Sequence, residues 1–199
     1  MIAPYRETGI VLDIGTGDGR FVSAHAKANP DKFYIGIDAN AKALEKLSMK
    51  ATRKPTKSGL PNAIFIQAAV EDLPVELDSV ATEIHINFPW GSLLRAVAVG
   101  DDEILASLHG IAAPGCRLEL IIGIDATRDR SELDRLGVPE LTEQYLQNGL
   151  IPRYESNSFR NTSQIELGED EWTKLETTWA RRLSSNTFRR VFQISFVRR

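Results

Sequence analysis

The sequence predicts a doubly wound α/β fold, and three observations lead there. Short apolar runs alternate with helical patterns through the first 124 residues. Those runs are apolar throughout, as strands of a mostly parallel sheet covered on both faces must be. A glycine-rich turn joins the first run to the first helical pattern, the place where such sheets bring a ligand to a helix N-terminus.

In chain order, "GIVLDIG" (9 to 15) reads as the first strand and "RFVSAHAKA" (20 to 28) as a helix with Phe21, Ala24 and Ala28 on one face. "KFYIGIDA" (32 to 39) is the second strand, followed by a helix over 39 to 51 whose lysines lie away from Leu44 and Leu47. "AIFIQAA" (63 to 69) and "TEIHINF" (82 to 88) are strands three and four, and a helical pattern starts at "GSLLRAV". "DDEILASLHGIA" (101 to 112) has acids in its first turn, as a helix N-terminus favours, and "CRLELIIGI" (116 to 124) is strand five. Beyond residue 125 the pattern loosens. Helical character is expected over 131 to 148, a polar strand around 153 to 165, and one helix over "EDEWTKLETTWARRL". The alternation in "FRRVFQISFVRR" (188 to 199) predicts a half-exposed antiparallel strand closing the sheet edge.

At 199 residues and 42% hydrophobic content, one domain over 1–199 is expected. No run approaches the roughly 20 apolar residues of a membrane span and no leader precedes the first strand, so a soluble cytoplasmic protein is expected. The single cysteine, Cys116, excludes an internal disulfide and reads as a small buried hydrophobe. The net charge of −3 conceals two basic segments. Residues 42 to 57 hold six Lys/Arg against one Glu, and residues 179 to 199 hold six Arg and no acid. An acidic body with concentrated basic segments suits docking on nucleic acid through one face.

The glycine-rich turn is Asp13-Ile14-Gly15-Thr16-Gly17-Asp18-Gly19. Its glycines permit a tight turn and close approach to a ligand, and Asp38, at the end of strand two, is placed to accept both hydroxyls of a ribose. The dinucleotide fingerprint needs a third glycine at position 20, where Arg20 stands, so a nicotinamide cofactor is disfavoured. The D-x-G-x-G-x-G loop with an acid ending strand two resembles the class I S-adenosylmethionine-dependent methyltransferases. That resemblance implies S-adenosylmethionine as cofactor, bound by Asp13, Gly15, Gly17 and Asp38, with Glu71 and Asp72 after strand three at the adenine.

The loop after strand four faces the methyl group in such enzymes, and here it is "NFPWG". It is similar to the N-P-P-aromatic loop of amino-methyltransferases, but Phe88 replaces the first proline. The tRNA guanine-N7 methyltransferases carry F-P-D-P-W-P-K and a basic run that this chain lacks. Over essentially its whole length the chain resembles the aminoglycoside-resistance 16S rRNA (adenine(1408)-N1)-methyltransferases, through "VLDIGTGDGRF", "FYIGIDAN", "KPTKSGLPNAIFIQAAVEDLP", "FPWGSLL" and "TWARRLSSNTFRRVF".

This resemblance implies methylation of N1 of adenine 1408 in the decoding region of the 30S subunit by a monomer. Trp90 and Trp179 would hold the flipped adenine, with Phe88 and Pro89 completing the catalytic loop. RNA contacts would fall on Lys50, Arg53, Lys54, Lys57, Arg182 and Arg189. An enzyme that works on a base edge must extrude the base and hold it by aromatic packing. Adenine N1 offers a free lone pair, so no general base is required, and His25, His85 and His109 read as structural. Trp172, within "GEDEWTKLE", reads as helix packing. A tRNA or other rRNA base methyltransferase, or a nucleotide-binding RNA-interaction module without catalysis, remain the alternatives.

Overall fold

The computed structural model describes residues 2–183 and 189–199; Phe188, the first residue of the expected last strand, lies outside them. Seven strands form one sheet: β1 (Ile10–Ile14), β2 (Phe33–Asp38), β3 (Ala63–Gln67), β4 (Ala81–Asn87), β5 (Ala112–Ile124), β6 (Phe159–Leu167) and β7 (Arg190–Arg198). Their spatial order is β3-β2-β1-β4-β5-β7-β6. The first five run parallel to one another. The chain builds outward from β1 to β3 and then restarts at β4 on the other flank of β1. Loops leaving β1 and β4 therefore diverge to opposite faces, and the crevice beyond their carboxyl ends is where open α/β sheets bind ligands.

The side-chain period of two sorts the core into layers. Ile10, Leu12 and Ile14 of β1 enter the large cluster built with α3 (Gly91–Val99) and α4 (Asp102–Ile111). Val11 faces the smaller cluster under α1 (Arg20–Ala28) and α2 (Ala41–Ala51). Side-chain oxygens start two of these helices: Asn40 accepts the Lys42 N–H at 3.2 Å, and Asp101 accepts those of Glu103 and Ile104. Gly100, at φ +67°, ends α3 in a conformation that favours glycine. Cys116 is buried within the core, as its position before the apolar run suggests.

The last third of the chain departs from expectation in four ways. The region of helical character is broken into α5 (Arg130–Leu136), α6 (Glu143–Tyr145), a π-helical stretch (Leu146–Leu150) and α7 (Ile151–Ser156). α7 occupies the start of the expected polar strand, because Tyr154 is wholly buried there and donates its hydroxyl to the Val97 carbonyl at 3.0 Å. The expected single helix over 169 to 183 is two, α8 (Glu169–Trp172) and α9 (Thr178–Leu183). Thr177 divides them, its hydroxyl accepting the Ala180 N–H at 3.0 Å as an N-cap does. Finally, β7 is antiparallel to β5 but is not the edge, since β6 pairs along its outer side. Its alternation, with Phe192, Ile194 and Phe196 buried and Gln193 and Ser195 partly exposed, reports one solvated face rather than an open flank. Among the described residues no helix is long and apolar enough to cross a membrane.

Candidate active site

β1 delivers the chain into the crevice at Gly15, Gly17 and Gly19, whose φ angles are +74°, +55° and +61°. A Cβ on Gly19 would lie 2.6 Å from both Leu47 and Phe65, so this glycine lets the loop pack onto α2 and β3. A Cβ on Gly17 would meet nothing within 4 Å, and only its backbone conformation constrains it. Asp38 ties the two loops together: its carboxylate accepts the N–H groups of Gly17 and Asn40, each at 2.8 Å. Each carboxylate oxygen keeps a lone pair for a ribose hydroxyl.

Asp13 is buried, accepting the Thr16 hydroxyl at 2.6 Å and the Asn87 side-chain amide at 3.2 Å. Burial pushes its pKa up to about 6, against the pull of those two bonds and of His85. From Gly15 and Gly17 a cleft of about 280 Å³ runs past Asp38 and Glu71 to Pro89 and the two tryptophans. Ala68, Ala69 and Val70 form an apolar wall beside Glu71, fit for the face of an adenine. Asp72 is exposed and stands off that wall, so of the two expected acids only Glu71 reaches the cleft.

At the far end of the cleft stand Trp90, the residue before α3, and Trp179, in the first turn of α9. Their ring centroids are 6.4 Å apart and their planes 26° from parallel. That centroid distance is close to twice the ~3.4 Å rise of stacked bases, the scale of a gap for one planar base. Both indoles are exposed, at 41% and 38%, although Phe88, Pro89, Thr177 and Ala180 beside them are buried. Arg182 lies over Trp179, its guanidinium 5.6 Å from the ring centroid.

Phe88 anchors the loop that carries Pro89 and Trp90. Its ring is buried, edge-on to Trp172 at 6.3 Å, and its backbone sits at φ +48°, uncommon for a non-glycine residue. The Phe88 N–H donates to the Ile121 carbonyl at 2.7 Å, which fixes the bend. Phe88 therefore holds the loop from beneath and presents Pro89 and Trp90, while its own side also borders the cleft. Trp172 packs under the site, 1% exposed, as read from the sequence.

The basic residues divide. Arg53, Lys54 and Lys57 are exposed and Lys50 is half-buried, all at the end of α2 and the 3-10 turn that follows. Gly59 makes this turn possible, since a Cβ there would fall 1.7 Å from the Arg53 carbonyl oxygen. Arg182 is exposed. Arg189, expected at the RNA, is instead buried: its guanidinium pairs with Asp129 at 2.5 Å and donates to the Gly123 carbonyl at 2.8 Å. A guanidinium so engaged fastens the loop after β5 to the start of β7.

Sequence reasoning missed a polar strip on the sheet. His85 on β4 lies 3.6 Å from Glu83 and 3.4 Å from Glu119 on β5. Burial lowers its pKa, but the two carboxylates outweigh burial and raise it to about 9. Glu83, also paired with Lys32 at 2.7 Å and Arg117 at 2.9 Å, is held well below the usual carboxylate range. The alternation Glu83-x-His85-x-Asn87 within an apolar strand was the available signal, placing all three on one face.

Comparison with known proteins agrees with this geometry. The family model described as NpmA, 16S rRNA (adenine(1408)-N(1))-methyltransferase, matches residues 3–198. A 16S rRNA (adenine(1408)-N(1))-methyltransferase of Streptoalloteichus tenebrarius is 36% identical over 178 residues, 89% of this chain and 81% of that protein. The crystal structure of the aminoglycoside resistance methyltransferase NpmB1 superposes with a TM-score of 0.85 at 47% identity, covering 100% of this chain and 90% of that one. That of a tryptophan-to-alanine mutant of the enzyme from Catenulisporales acidiphilia, with cosubstrate SAM, gives 0.86 at 31% identity, covering 96% and 85%. The chain belongs to the 16S rRNA (adenine(1408)-N(1))-methyltransferase family and has the class I methyltransferase fold.

Proposed function

We propose that this family member transfers a methyl group from S-adenosylmethionine to N1 of adenine 1408 in 16S rRNA, acting as a cytoplasmic monomer on the 30S subunit with residues 1–199 as one domain. The observation that carries the reading is the pair of exposed, nearly parallel indoles at the mouth of the cofactor cleft. A buried tryptophan pair would be core. An exposed pair held one base apart is a clamp.

The cofactor supplies an electrophilic methyl group on a sulfonium. Asp38 would hold its ribose and Glu71 and the Ala68–Val70 wall its adenine, while Gly15 and Gly17 would let the backbone pass close by. Trp90 and Trp179 hold the flipped base with its Watson–Crick edge toward the cleft, each stacking face contributing roughly 1–3 kcal/mol. N1 would attack with its own lone pair as the sulfur–methyl bond breaks and S-adenosylhomocysteine leaves; no proton needs removal, so orientation is the principal contribution of the protein. The methylated base is a cation, which two indole faces favour. Arg53, Lys54 and Lys57 position the enzyme by phosphate contacts that carry no sequence information.

The test reads the atom modified. A methyl group on N1 blocks pairing, so reverse transcriptase should stop one nucleotide before adenine 1408 in RNA from cells expressing the protein. Those cells should resist aminoglycosides of the kanamycin and apramycin type, and Trp90→Ala should lose stop and resistance together while retaining 30S binding. Read-through at that adenine, with methyl transfer to a tRNA instead, would refute the reading.

A further inference from the structure

Away from α1 and α2, many cations of this chain are matched by an acid: Lys32 and Arg117 meet Glu83, Arg135 meets Glu132 and Arg190 meets Glu166. Along α2 the opposite holds. Lys42, Lys46 and Lys50 follow one another at four-residue spacing, which sets them along one side of the helix. None of their side chains has an ion-pair or hydrogen-bond partner among the described residues, although Glu45 stands in the same helix. Like charges at that spacing weaken a helix, and a bound polyanion would offset the repulsion.

α1 continues this charged side. A groove of about 290 Å³ lies between the two helices, with Ser23 and Lys27 of α1 and Leu47 and Lys50 of α2 on its walls. Lys27 is exposed, and its side chain has no partner among the described residues either. Two exposed acids, Asp18 and Glu176, also border the groove, against the three cations Arg20, Lys27 and Lys50. Asp18 and Arg20 border in addition the space beside Trp179 and Arg182, so the groove leads from the tryptophan slot toward the end of α2. The turn with Arg53, Lys54 and Lys57 follows there directly. Two basic segments far apart in sequence are thus joined in space through α1.

We propose that this groove seats a backbone phosphate of 16S rRNA between Lys27 and Lys50, and that the lysine stripe of α2 tracks the adjoining strand. The inference rests on the RNA reading above and adds Lys27, Lys42 and Lys46 to its contacts. Docking then runs from the slot along α1 and α2 to the turn at 53–57. Contacts to phosphate carry no base identity, so these lysines fix how the enzyme sits on the subunit and leave the choice of adenine to the slot.

The test follows binding of purified 30S subunits by the full chain across a salt series. Lys27→Gln should weaken binding roughly five- to eightfold at ~0.1 M salt, the counterion-release value for one phosphate contact, and reduce the salt slope by about one. Affinity for S-adenosylhomocysteine, read by calorimetry, should stay within twofold of wild type, and Lys27→Arg should restore 30S binding. Because the two lysines share one phosphate, Lys27→Gln and Lys50→Gln together should lose less than the sum of their separate losses. Strictly additive losses would overturn the shared seat. An unchanged slope in Lys27→Gln, or equal losses of 30S and S-adenosylhomocysteine affinity, would overturn the α1 contact, the second by showing that Lys27 supports the fold alone. Lys42→Gln with Lys46→Gln should lower the slope further, by up to about two; no change would overturn the tracking role of the stripe. These outcomes sink the proposal by itself, whereas wild-type protein that does not bind 30S subunits would take the RNA reading with it.

Discussion

Removing the Arg189 guanidinium should cost stability first and RNA affinity only second. In Arg189→Ala the Asp129 carboxylate, whose side chain is 12% exposed, loses its 2.5 Å partner, and the Gly123 carbonyl loses its donor. The Asp125 N–H, at 3.0 Å from Asp129, is the remaining contact of that carboxylate to the same loop. Breaking a buried pair from one side costs about 3–5 kcal/mol, which for 199 residues lowers the melting temperature by roughly 6–20 °C. Replacing both partners, as in Arg189→Met with Asp129→Leu, removes the stranded charge and should restore most of the loss. Calorimetric melting of the single and double variants, with 30S binding measured well below the lowest melting point, separates the two roles. An Arg189→Ala protein that melts as wild type yet binds 30S poorly would refute the structural role and return this arginine to the RNA surface.

Three further outcomes follow from the same contacts. Asp38→Ala should weaken S-adenosylmethionine at least tenfold by calorimetry, about 1.4 kcal/mol, because the ribose loses its acceptor and the Gly17 and Asn40 N–H groups lose theirs; unchanged affinity would mean the cofactor lies elsewhere. Lys54→Glu should lower 30S affinity and reduce the salt slope by about one, with methylation recovered at saturating subunit, and an unaltered slope would remove Lys54 from the interface. For His85, the folded pKa of about 9 lies above the ordinary 6.5, so its contribution is full below about pH 6.5 and is lost as pH rises through 9. The raised value corresponds to at most about 3 kcal/mol, drawn from Glu83, Glu119 and the nearby Asp13. The wild-type melting temperature should therefore fall between pH 7 and 9.5 more steeply than that of His85→Gln, and parallel profiles would show that His85 carries no extra proton.

The first five strands were legible because a strand inside a parallel sheet is largely apolar, and even β4, with Glu83, His85 and Asn87 on one face, keeps Ile84 and Ile86 fully buried on the other. The C-terminal third was harder because its elements answer to local contacts. Tyr154 looks like a candidate strand residue by type, but its hydroxyl reaches Val97 only from a helix. The break at Thr177 was in principle readable, since a threonine two residues before Trp179 is a plausible N-cap, yet the acidic and basic residues on either side continue a helical pattern through it. Arg189 illustrates a different limit. An arginine beside a second arginine in a basic segment reads as surface, and only the position of Asp129, delivered by another loop, turns it inward.

That break and that buried pair are also what make the slot. A continuous helix over 169 to 183 would fix Trp179 to the same rigid rod as Trp172, which is committed to packing under Phe88. Capping by Thr177 starts a new helix, so Trp179 takes its direction from α9 while Trp172 stays in the core. On the facing side, Phe88 gives up ordinary backbone geometry, with a φ of +48°, to hold Trp90 out at the strand tip. Gly123 lies between the two supports: a Cβ there would come within 3.0 Å of the Phe88 ring and 3.2 Å of the Arg189 side chain. The parallel half of the sheet thus supplies the cleft beside the glycine loop, and α9, between the antiparallel strands β6 and β7, sets Trp179 opposite Trp90. Changes in which base is accepted should accordingly arise in the Phe88–Trp90 loop and in the segment between β6 and β7, with the glycine loop and Asp38 left as they are.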